Sequence, residues 1–219
     1  MTPPPAGAPR QIEAGPGVWV ATAGAPWDTL LARYATGADR TDVRRPAHRC
    51  HTERLRARGL LRTLLGSHFP AVADVGIGYA RSGRPVLVGQ ARLGISLSHA
   101  DGVYAACVAL DRTVGVDVQP PPADLSDPVL RWCAPARRHA LAALPSEARA
   151  REFAWMWTVK EACGKALGTG LAGPALTLDV PPGANSGSWG EYRWVSLRQQ
   201  SSIPLSCAFS SVVERGTPQ

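Results

Sequence analysis

The sequence predicts an α+β fold assembled from two similar α/β halves. Two observations point there. A helix followed by strands occurs twice along the 219 residues, with the break near residue 111. The runs VYAACVAL (103–110) and PLSCAFSS (204–211) also echo one another, each as the last strand of its half. A hydrophobic content of 45% with 19% charged residues suits a globular body with a core, while Gly 22 and Pro 20 imply many turns.

The elements follow in order. Residues 1–17 are rich in Pro, Gly and Ala without periodicity and read as a disordered lead-in to a first strand at 18–21. Residues 47–65 carry helix-forming Leu, Arg and Ala. They place Arg54, Arg58 and Arg62 on one helical face, which taken alone reads as a solvated stripe. Residues 72–79 read as a strand and 81–85 as a Gly/Pro turn. Residues 95–99 and the nearly unbroken apolar run 103–110 are strands, the second buried on both faces. In the strand 113–118, alternation sends Val114, Val116 and Val118 to one face and Gly115, Asp117 and Gln119 to the other; three prolines, Pro120 to Pro122, then end it. Helices cover 125–144, interrupted at Pro135, and 151–167, stopped by Gly168 and Gly170. Residues 181–188 read as a loop between strands at 176–180, 192–197 and 205–212. The halves are thus 18–111 and 112–213, with a frayed tail at 214–219.

A formal charge of +7 and a pI near 9.6 call for an anionic partner without choosing one. The cations are 22 arginines and only two lysines, Lys160 and Lys165, which flank Glu161. Two lysines kept in one segment point to a need for compact ammonium groups there. The cysteines Cys50, Cys107, Cys133, Cys163 and Cys207 are scattered without a zinc spacing, and their odd number suits reduced thiols. No apolar run reaches membrane-spanning length, and the first residues lack a signal-peptide pattern, so a cytoplasmic protein with no membrane partner is expected. A nucleic-acid partner is not expected either, for there is no zinc-finger spacing, aromatic RNP-like strand or basic run.

Three segments carry chemistry: VGVDVQ (114–119), WTVKEACGK (157–165), and the pair GRP (83–85) with SLSHADG (96–102). Each alone has a plainer reading. An Asp at a strand end commonly caps a turn, a Lys-Glu pair on a helix is commonly surface charge, and a lone His is commonly structural. Together, in this order, they resemble the Sfp-type phosphopantetheinyl transferases. That family shows a (V/I)-G-(V/I)-D-(V/I)-E strand and, roughly ~40 residues later, an F…W-(S/T)-x-K-E-x-x-x-K helix. Here Phe153 precedes Trp157, Lys160, Glu161 and Lys165, and Gly83-Arg84-Pro85 and Ser98-His99 stand where the family has G-(K/R)-P and S-H. Residues from about 45 to 180 match in order.

The resemblance implies two subdomains related by a pseudo-twofold axis, with the active site at their interface. It implies coenzyme A as substrate, Mg²⁺ or Mn²⁺ as the ion, and transfer of 4′-phosphopantetheine to a serine of an acyl or peptidyl carrier protein, releasing 3′,5′-ADP. Asp117 and Glu161 would hold the ion, with Gln119 beside them, and Glu161 or a water it orders would take the serine proton. Lys165 and Lys160 would take part in catalysis and meet the diphosphate; Arg84, Ser98, His99, Arg54, Arg45 and Arg44 are the candidates for the 3′-phosphate and adenosine. A monomer serving acidic carrier domains of polyketide or nonribosomal peptide synthesis is the further expectation. Two positions depart from the family pattern: Gln119 stands where many members have a second carboxylate, and Arg137 where Glu is common. A catalytically impaired relative that binds coenzyme A or a carrier is the alternative, and a basic nucleic-acid-binding protein a more distant one.

Overall fold

In the computed structural model, residues 9–43 and 51–211 are described. They build two antiparallel sheets packed face to face between helices. The first sheet contains β1 (Arg10–Gly15), β2 (Val18–Ala23), β3 (Ile77–Tyr79), β4 (Pro85–Leu87), β5 (Leu93–Ala100) and β6 (Val103–Leu110), in the order β1-β2-β6-β5-β4-β3. The second contains β7 (Val114–Val118), β8 (Ser186–Trp189), β9 (Tyr192–Ser196) and β10 (Leu205–Ser210), in the order β7-β10-β9-β8. The chain passes from one sheet to the other between Leu110 and Val114.

Strand alternation explains the layers. Val103, Ala105, Cys107 and Ala109 of β6 meet Val114, Val116 and Val118 of β7 and Leu205, Cys207 and Phe209 of β10 between the sheets. Tyr104, Ala106 and Val108 point the other way, onto Leu60, Leu61, Leu64 and Leu65 of α3 (His51–His68). Both faces of β6 are therefore covered, which is why its sequence is a continuous apolar run. On the outer face of the second sheet, Met156, Val159, Ala162 and Cys163 of α6 (Ser146–Leu167) pack with Trp194 and Ala208. Gly115 lets α6 lie this close, since a Cβ there would stand 2.0 Å from the Ala162 carbonyl oxygen. The β5–β6 hairpin turns on Asp101 and Gly102 at φ 47° and 78°, the left-handed pair that a two-residue turn requires.

Several expectations are corrected. Residues 10–15 are not a lead-in: Arg10, Gln11, Ile12 and Glu13 pair with β2, and Ile12 is buried between the sheets. The strand expected at 72–79 is only three residues long, because Pro70–Val72 starts a 3-10 turn. No strand forms at 176–180, where Pro174 opens a 3-10 turn, Pro174–Thr177. Part of the expected loop 181–188 is β8, with Gly187 lying under the Trp194 indole. The helical stretch 125–144 is divided into α4 (Asp127–Cys133) and α5 (Arg138–Ala142) around Pro135, and α6 begins at Ser146. The short helices α1 (Asp28–Tyr34) and α2 (Gly37–Val43) add to the first half. Among the described residues no helix is long and apolar enough to cross a membrane.

The arginine stripe of α3 is not a solvated face. Arg62 grips Asp39 of α2 with two bonds, Nε to Oδ2 at 2.9 Å and Nη2 to Oδ1 at 2.8 Å. Its Nη1 donates to the carbonyls of Ala73 and Val75. Arg58, fully buried, lies 3.6 Å from Asp39 Oδ1. Thr36 and Asp39 cap α2 reciprocally, each backbone N–H donating to the other's side chain. Burial pushes the Asp39 carboxyl up, but the bonds from Arg62 and Thr36 outweigh it and carry the group below its ordinary 3.8. Its contribution to stability is therefore complete above that value and is lost as pH falls through the lower folded one. Asp39→Asn, which takes the counter-charge from the buried Arg62 guanidinium, is expected to cost about 3–5 kcal/mol in urea unfolding at neutral pH. The deficit relative to wild type should shrink below pH 3.8; a constant deficit down to pH 2 would contradict the ion pair as its source.

Candidate active site

The site forms where β5 of one sheet meets β7 of the other. β7 is an edge strand, and its Val116 and Val118 N–H groups point away from β10. No strand takes them up. Instead they donate to the hydroxyls of Ser96 (3.0 Å) and Ser98 (3.4 Å), which alternation on β5 turns toward the second sheet. The Ser98 hydroxyl in turn donates to Asp117 Oδ1 at 2.7 Å. Lys165 Nζ donates to the same oxygen at 2.7 Å and to the Val116 carbonyl at 3.1 Å. One carboxylate oxygen thus joins β5, β7 and α6. Among the described residues nothing donates to Asp117 Oδ2.

Helix periodicity brings the rest. Trp157, Glu161 and Lys165 recur at i, i+4 and i+8 and line one cleft of about 280 Å³ with Ser98, His99, Asp117 and Gln119. Glu161 receives no hydrogen bond among the described residues. Burial pushes its carboxyl up, nearby Asp117 raises it further, and Lys165 opposes both. Gln119 donates from Nε2 to the Pro120 carbonyl at 3.3 Å, which leaves its Oε1 as the free end. A second cavity of about 240 Å³ adjoins along Lys165 and Leu97 and is lined by Ser82, Gly83, Arg84 and Gly168. Arg84 reaches across it to the Ala166 carbonyl near the end of α6, at 3.3 Å.

His99 lines the cleft, and Arg54 lies near its ring. His99 Nδ1 lies 3.5 Å from Glu53 Oε2, and burial, with Lys165 and Arg54 nearby, carries the imidazole below its ordinary range despite Glu53. Arg54 donates to the Tyr79 hydroxyl at 2.7 Å, as does Arg58 at 2.9 Å. Volume alone does not select this cleft. A cavity of about 240 Å³ lies beside Arg92, Asp111 and Arg112, but Arg92 is paired with Asp111 and Arg112 with the Ser210 carbonyl.

The donors suit a hard divalent cation: a free carboxylate oxygen on Asp117, a second carboxylate whose acid is held up by burial and by Asp117, and an amide oxygen. Among the described residues, no group of three or more His, Cys, Asp or Glu gathers to hold a metal ion. The arrangement therefore offers two carboxylates and Gln119, not three carboxylates.

Residues 113–202 match the family model described as the 4′-phosphopantetheinyl transferase superfamily. They include β7 with Asp117 and α6 with Glu161 and Lys165. The stretch that carries Asp117, Glu161 and Lys165 is thus similar to this superfamily. The chain is 33% identical over 129 residues to the 4′-phosphopantetheinyl transferase HetI of Nostoc sp. (strain PCC 7120), covering 56% of this chain and 54% of that protein. It is 34% identical over 165 residues to the L-aminoadipate-semialdehyde dehydrogenase-phosphopantetheinyl transferase of Eremothecium gossypii, covering 71% of this chain and 59% of that protein. The chain thus spans between half and three-fifths of the length of the two curated relatives.

Of the residues singled out from the superfamily pattern, Asp117, Glu161, Lys165, Ser98, His99 and Gln119 share the cleft, and Arg84 lines the cavity beside it. Lys160 does not join them. It lies one residue, about 100°, around α6 from Glu161. Its ammonium is buried against the carbonyls of Cys133 (2.8 Å) and Leu176 (2.7 Å), which corrects its assignment to catalysis and the diphosphate. Burial lowers its pKa. Arg137 is held by Asp179 through two bonds, at 2.8 and 2.7 Å, and lines no part of the cleft. Arg44 and Arg45 lie outside the described residues. Ser96, Glu53 and Tyr79 were not singled out; the i, i+2 spacing of Ser96 and Ser98 on a strand is the one signal that places both hydroxyls on β7.

Asp117→Asn removes a charge that raises Glu161 and frees Lys165 to oppose it more fully. The Glu161 carboxyl is therefore expected to titrate at lower pH in Asp117→Asn than in wild type, followed by ¹³C NMR of labelled glutamate without added metal. An unchanged midpoint would show that the two carboxylates do not interact.

Proposed function

We propose that the protein is an Sfp-type 4′-phosphopantetheinyl transferase, moving the phosphopantetheine arm of coenzyme A to a carrier-protein serine. The observation that carries this reading is the meeting of Asp117 and Glu161, from separate elements, in one cleft with Lys165. The serine oxygen forms a bond to the phosphorus nearer the pantetheine. The anhydride bond to the other phosphorus breaks, and 3′,5′-ADP leaves with the bond's electron pair. Charge neutralisation and a base are the two requirements.

A divalent ion, Mg²⁺ with Mn²⁺ as an alternative, held by Asp117 and Glu161 with Gln119 as a third oxygen, would supply charge neutralisation at the diphosphate. Lys165, common to the cleft and the adjoining cavity, sets an ammonium where the diphosphate would cross between them. Glu161, directly or through a water, accepts the serine proton, a role that its raised acid suits. Arg84 in the adjoining cavity and His99 with Arg54 near it would meet the adenosine and the 3′-phosphate. Ser98 keeps Asp117 turned toward the cleft. The same reading takes 18–111 and 112–213 as subdomains related by a pseudo-twofold axis. Its support is a long helix packed on the outer face of each sheet, α3 on one and α6 on the other. It also takes the protein as a cytoplasmic monomer serving acidic acyl or peptidyl carrier domains of polyketide and nonribosomal peptide synthesis, which the +7 charge would attract.

Mass spectrometry of apo carrier proteins incubated with coenzyme A and Mg²⁺ should show gain of one phosphopantetheine on the acceptor serine. Glu161→Gln should lower the rate by about 10²–10⁴-fold. No mass gain on fatty-acid, polyketide or peptide carriers, or a wild-type rate in Glu161→Gln, would overturn the assignment.

A further inference from the structure

The charge balance of the cleft bears on when the ion arrives, an inference that rests on the reading above. Its acidic side chains are Asp117 and Glu161, and one oxygen of Asp117 already receives Lys165 and Ser98, both at 2.7 Å. Gln119 adds an oxygen without charge. Among the described residues lining it, the remaining group that could be charged, His99, faces a carboxylate of its own, Glu53. Arg137, at the other departure from the family pattern, is spent on Asp179. Among the described residues, two carboxylates and one ammonium leave a formal charge of −1. A divalent ion entering the free protein must also displace or coexist with the ammonium that holds Asp117. The coenzyme A diphosphate brings two further negative charges. It also gives Lys165, which opens onto the adjoining cavity, an alternative anion.

We infer that the divalent ion enters this protein together with coenzyme A rather than ahead of it, and that Gln119 and the Lys165–Asp117 pair set this dependence. Ion and diphosphate each raise the other's affinity by one shared factor, as linkage requires. Adenosine 3′,5′-bisphosphate, which keeps only one of the two bridging phosphates, supports the ion less, so the ion's hold loosens once transfer is complete. A glutamate at position 119 would restore the missing charge and let the ion bind first.

The test reads binding, not turnover. Mn²⁺ is titrated into the full chain alone, with saturating coenzyme A, and with adenosine 3′,5′-bisphosphate. Free Mn²⁺ is followed by electron paramagnetic resonance, and a protein-free titration corrects for Mn²⁺ held by the nucleotide. Coenzyme A affinity with and without Mn²⁺ is measured by calorimetry. Coenzyme A should tighten Mn²⁺ binding by about 10- to 100-fold, Mn²⁺ should tighten coenzyme A by the same factor, and the bisphosphate should do less. Gln119→Glu should strengthen Mn²⁺ binding to the ligand-free protein about tenfold and shrink the coenzyme A effect. Equal Mn²⁺ affinity in the free protein and the coenzyme A complex overturns the inference, and needs no variant to show it. A Gln119→Glu protein with wild-type circular dichroism and unchanged Mn²⁺ affinity removes Gln119 from it. Failure of the underlying reading looks different: coenzyme A would bind under neither condition, or Asp117→Asn and Glu161→Gln would leave Mn²⁺ binding to the coenzyme A complex unchanged.

Discussion

Everything in the cleft is arranged around Asp117 Oδ1, the oxygen that receives both the Ser98 hydroxyl and the Lys165 ammonium. The carboxylate is almost fully buried, at 6% exposure, and its charge would be expensive there without donors. Two donors from two neighbouring elements remove that cost and fix its direction. The same serine accepts the Val118 N–H, so the edge of the second sheet is closed by side chains and not by another strand. A paired strand at that edge would leave no opening beside Asp117. Closure by hydroxyls leaves the cleft.

The second constraint is the phase of α6. Gly115 brings the helix onto β7, and the helix repeat then assigns each side chain a destination. Trp157, Glu161 and Lys165 reach the cleft, while Lys160 turns to the carbonyls at the end of α4 and in the 3-10 turn Pro174–Thr177. Adjacent residues in one motif thus serve two ends. Lys165 sets one positive charge against Asp117 in the cleft, and Lys160 ties down the elements packed behind it. Phase is kept at the C-terminal end by Gly168, whose left-handed φ of 86° lets its N–H close on Gly164.

How much of this was legible in the sequence depended on the range of the signal. Period-two alternation placed Asp117 opposite the inter-sheet valines, and the unbroken run of β6 announced a strand covered on both faces. Local chemistry stopped α6 at Gly168. The misreadings were tertiary. Alternation and propensity could not show that Arg58 and Arg62 would meet Asp39, because that partner lies on a seven-residue helix with no apolar stripe of its own. The proline- and glycine-rich N-terminus looked structureless, yet Ile12 fills the space between the sheets. Lys160 was grouped with its neighbours by motif, where the 100° step of the helix separates it. Ser96 and Ser98 carried no charge to draw notice, although they seal the seam.

The claim on which the account stands is that Asp117 and Glu161 act on one ion. A crystal of the protein grown with coenzyme A and Mn²⁺, with diffraction recorded for the anomalous signal of manganese, tests it most directly. The account predicts a single anomalous peak bridging the two carboxylates, with the diphosphate completing its shell and Lys165 beside it. A peak that contacts only one carboxylate, or coenzyme A bound away from both, would contradict it.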